Sequence, residues 1–185
     1  MRVVYPNELY ELRDTDITVF MAGGMGNTEW HDKFLGTLHS LDTNNLVVFN
    51  PYNAEIDSEY QQIVWEINRI KSCDIFSIYF DKYTQQPASM YELGYFIASQ
   101  SENKLDLYRN DELIQTVKYG GKPYVISINP ERDNNRDLII RCGIEHFISK
   151  ERTPEEHAQT VYEEYRRLLN ERFGESANWS LRNHD

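Results

Sequence analysis

Asp74-Ile-Phe-Ser-Ile-Tyr-Phe-Asp-Lys-Tyr-Thr-Gln-Gln-Pro-Ala-Ser-Met-Tyr-Glu92-Leu-Gly-Tyr-Phe-Ile-Ala98 is the stretch that decides the fold. Ile75 to Phe80 is almost wholly apolar, β-branched and aromatic, the pattern of a strand covered on both faces in an α/β sheet. Residues 81–89 leave its carboxyl end as a polar loop, and a helix over 89–100 carries Leu93, Phe96 and Ile97 inward. Open α/β sheets bind ligands beyond the carboxyl ends of their strands, so a carboxylate just inside that helix points into a crevice. Glu92 is that carboxylate, and two readings of it stand open. Ser89-Met-Tyr-Glu92 has the spacing of a capping box, with both side chains satisfying free amides of the first turn. The other reading makes Glu92 a nucleophile, kept ionised by the positive end of the helix.

Working outward, strands alternate with helices. Ile17 to Ala22 reads as the first central strand, after a short edge strand at Arg2 to Tyr5. Gly23-Gly24-Met25-Gly26-Asn27-Thr28 follows, either a tight strand-to-helix turn or a place where backbone amides approach a ligand, with Thr28 as helix cap. The helix over 29–39 packs Trp30, Phe34, Leu35 and Leu38 on the sheet. Leu46 to Asn50 is the next strand, closed by Pro51. A helix from 57 or 58 to 71 has Tyr60, Ile63, Val64, Ile67 and Ile70 as its buried stripe. At about 100° per residue Glu66 falls at the edge of that stripe, either bordering the crevice or serving as a solvated helix charge.

Gly94, costly inside a helix by about 1 kcal/mol against alanine, is expected to permit a close approach. Residues 101–122 form a polar excursion with a short hairpin or helix near Leu113 to Val117. A strand over 123–129, a short helix over 137–142 and a strand over 145–149 complete the sheet. Thr153-Pro-Glu-Glu opens a last helix with Ala158, Val161, Tyr165, Leu168 and Leu169 inward, ended at Gly174. The whole reads as a flavodoxin/Rossmann-like doubly wound sheet of about five parallel strands with helices on both faces. One domain is expected over 1–174, with 175–185 a mobile tail.

Composition narrows function. A net charge of −11 disfavours a nucleic acid polymer, whose binding relies on basic side chains replacing counterions. Cys73 and Cys142 read as reduced packing residues, and the five histidines form no cluster and read as surface residues. No metal-ligand spacing, secretory signal or apolar run near the roughly 20 residues of a membrane helix is present, so no metal, no membrane and a cytoplasmic location are expected.

Met90-Tyr-Glu-Leu-Gly-Tyr95, after a strand preceded by Asp74, resembles the signature of the nucleoside 2-deoxyribosyltransferase family and related nucleoside and nucleotide N-glycosidases. Phe20-Met-Ala-Gly-Gly24, Val47-Val-Phe-Asn-Pro51, and Trp65-Glu66 followed by Cys73-Asp74 resemble its earlier segments in order, so the likeness covers roughly residues 17–150. The resemblance implies that Glu92 attacks the anomeric carbon while Glu66 binds and protonates the leaving base. It implies a site at the strand ends that includes Gly23, Gly24, Asn27, Asn50, Asp74, Asp81, Gln86, Ser89 and Tyr91. Asp81 would contact sugar hydroxyls or simply solvate its loop. No cofactor is implied; the partners would be a nucleoside and a free nucleobase, in a homo-oligomer whose neighbours complete the pocket, serving purine or pyrimidine salvage.

The chain departs from the family where Phe20 replaces a nucleophile-orienting tyrosine and Gln86 replaces an Asp six residues before the nucleophile. Tyr52 and Asn53 stand where nucleotide-cleaving relatives carry arginines. Three functions are therefore carried: a 2-deoxyribosyltransferase acting through a glycosyl-Glu92 intermediate, an N-glycoside hydrolase of nucleosides or nucleoside monophosphates, and a non-catalytic nucleotide-sensing module.

Overall fold

Ile75–Phe80 is the central strand β4, and every one of its residues is buried. The structure, a computed structural model, describes residues 1–6, 8–24, 26, 28–52, 58–82, 86–101, 104–109, 112–118, 121–132 and 149–174. The strands are β1 (Arg2–Val4), β2 (Ile17–Gly23), β3 (Leu46–Phe49), β4, β5 (Lys104–Arg109), β6 (Glu112–Lys118), β7 (Tyr124–Ile128) and β8 (Ser149–Glu151). The helices are α1 (Glu29–His39), α2 (Glu59–Ser72), α3 (Pro87–Ser101) and α4 (Pro154–Phe173).

Six strands form one parallel sheet in the order β1-β3-β2-β4-β7-β8. Without the edge strand β1 this is the flavodoxin-like order of five read from the sequence. The chain steps from β2 outward to β3 and returns to β4 on the other side, so the order reverses between β2 and β4. β5 and β6 pair as the antiparallel hairpin anticipated within 101–122.

Side chains alternate across each strand and divide the core into two layers. Phe20, Ala22, Phe76, Ile78 and Phe80 face α2 and α3, meeting Ile70, Leu93 and Phe96. Phe76 stacks on Phe96 at 4.2 Å between ring centroids, and truncating such a ring costs about 3–5 kcal/mol. Val19, Met21, Ile75 and Tyr79 face α1 and α4, meeting Trp30, Phe34, Leu38, Ala158 and Val161. The apolar stripe read for α4 is buried throughout, and Thr153 closes a capping box with Glu156 at its start.

Several expectations are corrected. On α2, Tyr60, Ile63 and Val64 are exposed, while Trp65, Glu66 and Arg69 turn inward beside Ile70. Trp65 offers the largest apolar surface on the helix and packs against Phe20 and Phe49, which rotates the aliphatic residues outward. Thr28 precedes α1 without capping it through its side chain. An added Cβ on Gly94 meets nothing within 4 Å, so no close approach within the chain requires this glycine. β8 begins at Ser149; the short helix expected over 137–142, Cys142, the start of the strand expected over 145–149 and the tail over 175–185 lie outside the described residues. Among the described residues no helix is long and apolar enough to cross a membrane.

Candidate active site

The strand order reverses between β2 and β4, where open α/β sheets form a ligand crevice at the carboxyl ends, and Asn50 after β3, Asp81 after β4 and Gln86 before α3 stand at that end. Glu92 lies in the second turn of α3 and is buried. Because the helix starts at Pro87, Ser89 and Glu92 are both interior to it, and the capping-box reading is set aside. Burial, and after it the charge of Glu66, push the Glu92 carboxyl well above its ordinary range. The expectation that the helix dipole keeps this group ionised is thereby corrected. That field fades within the first turn, and desolvation of a buried carboxylate outweighs it.

Glu66 comes from α2, half-buried, with its Oε1 accepting a hydrogen bond from Gln62 Nε2 at 2.9 Å. The same amide donates to the Pro51 carbonyl at 3.3 Å, tying α2 to the exit of β3. Burial raises the Glu66 carboxyl as well. Burial raises both carboxyls and the charge of Glu66 opposes ionisation of Glu92, so removing the last proton from the two is harder than from isolated carboxyls.

Gln86 ends the loop into α3 with a positive φ of 51°. A non-glycine residue in that region costs roughly 1–2 kcal/mol. Its side chain is buried, and neither Oε1 nor Nε2 has a hydrogen-bond partner. Backbone strain together with unmet buried polar atoms is characteristic of functional sites. The other buried side-chain atoms without partners among the described residues are Nε1 of Trp65, next to Glu66, and Nδ1 of His31. His31 follows the β2 exit in the first turn of α1, lies against the Tyr52 ring at 5.7 Å, and feels the charge of Asp81 after β4.

The glycine turn is a packing device. A Cβ on Gly23 would lie 2.3 Å from the Trp30 ring and 2.9 Å from the Tyr79 carbonyl. The Gly24 carbonyl accepts from Trp30 Nε1 at 2.9 Å and faces His31 Nε2 at 3.3 Å. Asn50 uses its Oδ1 to accept the Tyr52 amide at 2.9 Å, forming the turn after β3. Asp81 and Ser89 are buried at the crevice side of β4 and α3, whereas Tyr91 is 63% exposed, turned away from Glu92. Asn27 lies outside the described residues.

Asp74 is not brought to this crevice. It precedes β4, so the length of the strand, roughly 20 Å at about 3.3 Å per residue, separates it from the carboxyl end. Its Oδ2 accepts from the Thr18 amide at 2.7 Å and the Thr18 hydroxyl at 2.8 Å, and its Oδ1 pairs with Arg172 of α4.

The expectation that every histidine lies at the surface is corrected for His31 and His157, both buried. Position carried a signal for each: His31 opens the helix after the first strand's glycine turn, and His157 interrupts the apolar stripe of α4. A groove of about 410 Å³ adjoins the crevice, lined by Trp30, Asp81, Lys82, Asn129, Glu131 and Pro154 among others. Glu66 and Glu92 lie outside its lining. No group of His, Cys, Asp and Glu among the described residues is arranged to hold a metal.

Comparison with known proteins agrees with the arrangement. A search of the curated proteins finds no match. The sequence model of the family described as nucleoside 2-deoxyribosyltransferase like matches residues 16–106, from the start of β2 into β5, and so takes in Glu66, Gln86 and Glu92. Over residues 16–106 this chain is similar to the nucleoside 2-deoxyribosyltransferase-like family.

Proposed function

We propose that the protein is a nucleoside 2-deoxyribosyltransferase that works through a covalent glycosyl-Glu92 intermediate. The observation that carries this reading is the buried carboxyl of Glu92 with the charge of the half-buried Glu66 acting on it. Such a pair matches the two-carboxyl logic of retaining glycoside cleavage, in which one group attacks while the other handles the proton. The shared proton sits on Glu66 as the Glu92 carboxylate attacks the anomeric carbon. The carbon–nitrogen bond breaks, its electron pair stays on the base nitrogen, and Glu66 supplies the proton there. A second base then attacks the same carbon from the vacated side, releases Glu92 and returns a proton to Glu66. Burial raises the Glu66 carboxyl above its ordinary range, which favours its keeping the proton needed for departure.

Copies of the chain are proposed to associate through the outer face of α2 and α3, where Tyr60, Ile63, Val64 and Tyr91 are exposed. Sedimentation of a Tyr60→Glu, Val64→Glu double variant as a smaller species than the unmodified protein would support this, and equal sizes would refute it.

The deciding experiment incubates the protein with each 2-deoxynucleoside, with and without a different free base, beside Glu92→Gln. A new nucleoside formed only by the unmodified protein is the expected result. Free base and free sugar without exchange would replace the transferase with a hydrolase, and no turnover with nucleosides or monophosphates would leave a binding module.

A further inference from the structure

The tautomer of His31 follows from its contacts. The Gly24 carbonyl can only accept, so Nε2 carries the hydrogen of the neutral ring and Nδ1 is left as a lone-pair acceptor. Nδ1 is buried and meets no donor. Leaving a buried acceptor unmet costs about 1–3 kcal/mol, which a donor arriving with a ligand recovers. Segments from three strand ends surround the ring: Gly24 after β2, Tyr52 after β3 and Asp81 after β4.

We infer that His31 is a specificity-determining residue: its Nδ1 accepts a hydrogen bond from the 5′-hydroxyl of an unphosphorylated nucleoside, the one donor that a 5′-monophosphate lacks, and so disfavours the monophosphate. This rests on reading the crevice as an N-glycoside site. A phosphate group offers acceptors and negative charge, and neither suits a bare lone pair. The charges that act on His31 are those of Asp32 on its own helix and Asp81 across the crevice, both acidic. Cations near this end of the sheet are already engaged: Lys82 with Glu131, Lys33 with Glu29, and Arg132 on the Asp81 carbonyl. Burial lowers the His31 pKa and so favours the neutral ring that the acceptor role requires. The other unmet atoms, the Gln86 amide and the Trp65 N–H, are neutral too, which suits a ligand rich in hydroxyls and amides.

The test is equilibrium binding by calorimetry, read without turnover. The four 2-deoxynucleosides and their 5′-monophosphates are titrated into the Glu92→Gln protein, alone and combined with His31→Leu or His31→Asn. At least one nucleoside should bind about tenfold or more tighter than its monophosphate. His31→Leu should weaken that nucleoside by about 3- to 10-fold while leaving the monophosphate unchanged or better bound, and His31→Asn, which keeps an acceptor in that place, should restore most of the preference. Monophosphates binding as well as nucleosides to the Glu92→Gln protein would overturn the inference, and that comparison needs no His31 variant. Equal weakening of both ligands by His31→Leu would also overturn it, showing a packing role only. A nucleoside preference that depends on His31 in a protein without transferase turnover would remove the proposed reaction and leave the inference standing.

Discussion

Asp74, just before β4, has both carboxylate oxygens occupied, by Thr18 on one side and Arg172 on the other. Glu92, in the helix after β4, is buried with the like charge of Glu66 acting on it and no described hydrogen bond to offset the loss of water. The two buried histidines divide the same way. Both ring nitrogens of His157 meet serine hydroxyls, Ser77 at 2.8 Å and Ser127 at 2.7 Å, while Nδ1 of His31 meets nothing. Arg152 extends the His157 network through Ser127, fastening α4 and β8 to the sheet. Polar groups at the amino end and beneath α4 are saturated and hold the fold. Nδ1 of His31 and the Gln86 amide at the carboxyl end stay unmet at a cost to stability, which is tolerable where a ligand supplies the missing partner.

Four measurements would break or sharpen this contrast. Glu92→Gln is expected to lower turnover by roughly 10⁴-fold or more, because the proposed nucleophile is then gone. The same change should raise stability, since it removes a carboxyl that the fold disfavours in its charged form. Below the ordinary carboxylate value of 4.5 Glu92 is protonated in both the folded and the unfolded chain and adds no pH dependence; as the pH rises, the unfolded chain ionises first and the unmodified protein loses stability. Urea midpoints from pH 4 to pH 8 should therefore diverge in favour of the variant, and parallel curves would contradict the buried, raised carboxyl.

On the saturated side, burial pushes His157 down to about 3. A lowered histidine stabilises the fold above its ordinary value of 6.5, and that contribution drains away as the pH falls from there towards about 3. The full loss is on the order of 4 kcal/mol. His157→Gln should unfold with a visibly flatter dependence on pH between 6.5 and 4, and an unchanged slope would show that His157 does not govern acid sensitivity. Asp74→Ala should cost about 2–3 kcal/mol, mostly from the Thr18 amide left without an acceptor, with turnover per folded molecule unchanged. A stable variant with lost turnover would return Asp74 to the site. Gly94→Ala should be neutral or stabilising by up to about 1 kcal/mol in the isolated chain, and a loss of stability would reveal a neighbour at that face.

Much of this architecture was legible in the residues. The unbroken apolar run of β4, the cap at Thr153, and the spacing of Ala158, Val161, Tyr165, Leu168 and Leu169 are local signals, and each produced the element read from it. Alternation of strands and helices then led to the flavodoxin-like order, and with it to a crevice beside Glu92. The face of α2 was misread because periodicity treats Tyr60, Ile63 and Val64 as equal claimants, while the space between the sheet and α3 went to Trp65 and Glu66.

Sequence alone thus determined the order of elements and the helix that brings a glutamate to the carboxyl end of the sheet, since these follow from neighbours along the chain. Tertiary structure alone decided that Glu92 holds its proton more tightly than an exposed carboxyl, that Asp74 ties strands together rather than touching a ligand, and that His31 keeps a bare acceptor. These depend on which groups are buried and which meet across the fold, and electrostatic energy is set by those distances rather than by separation in sequence.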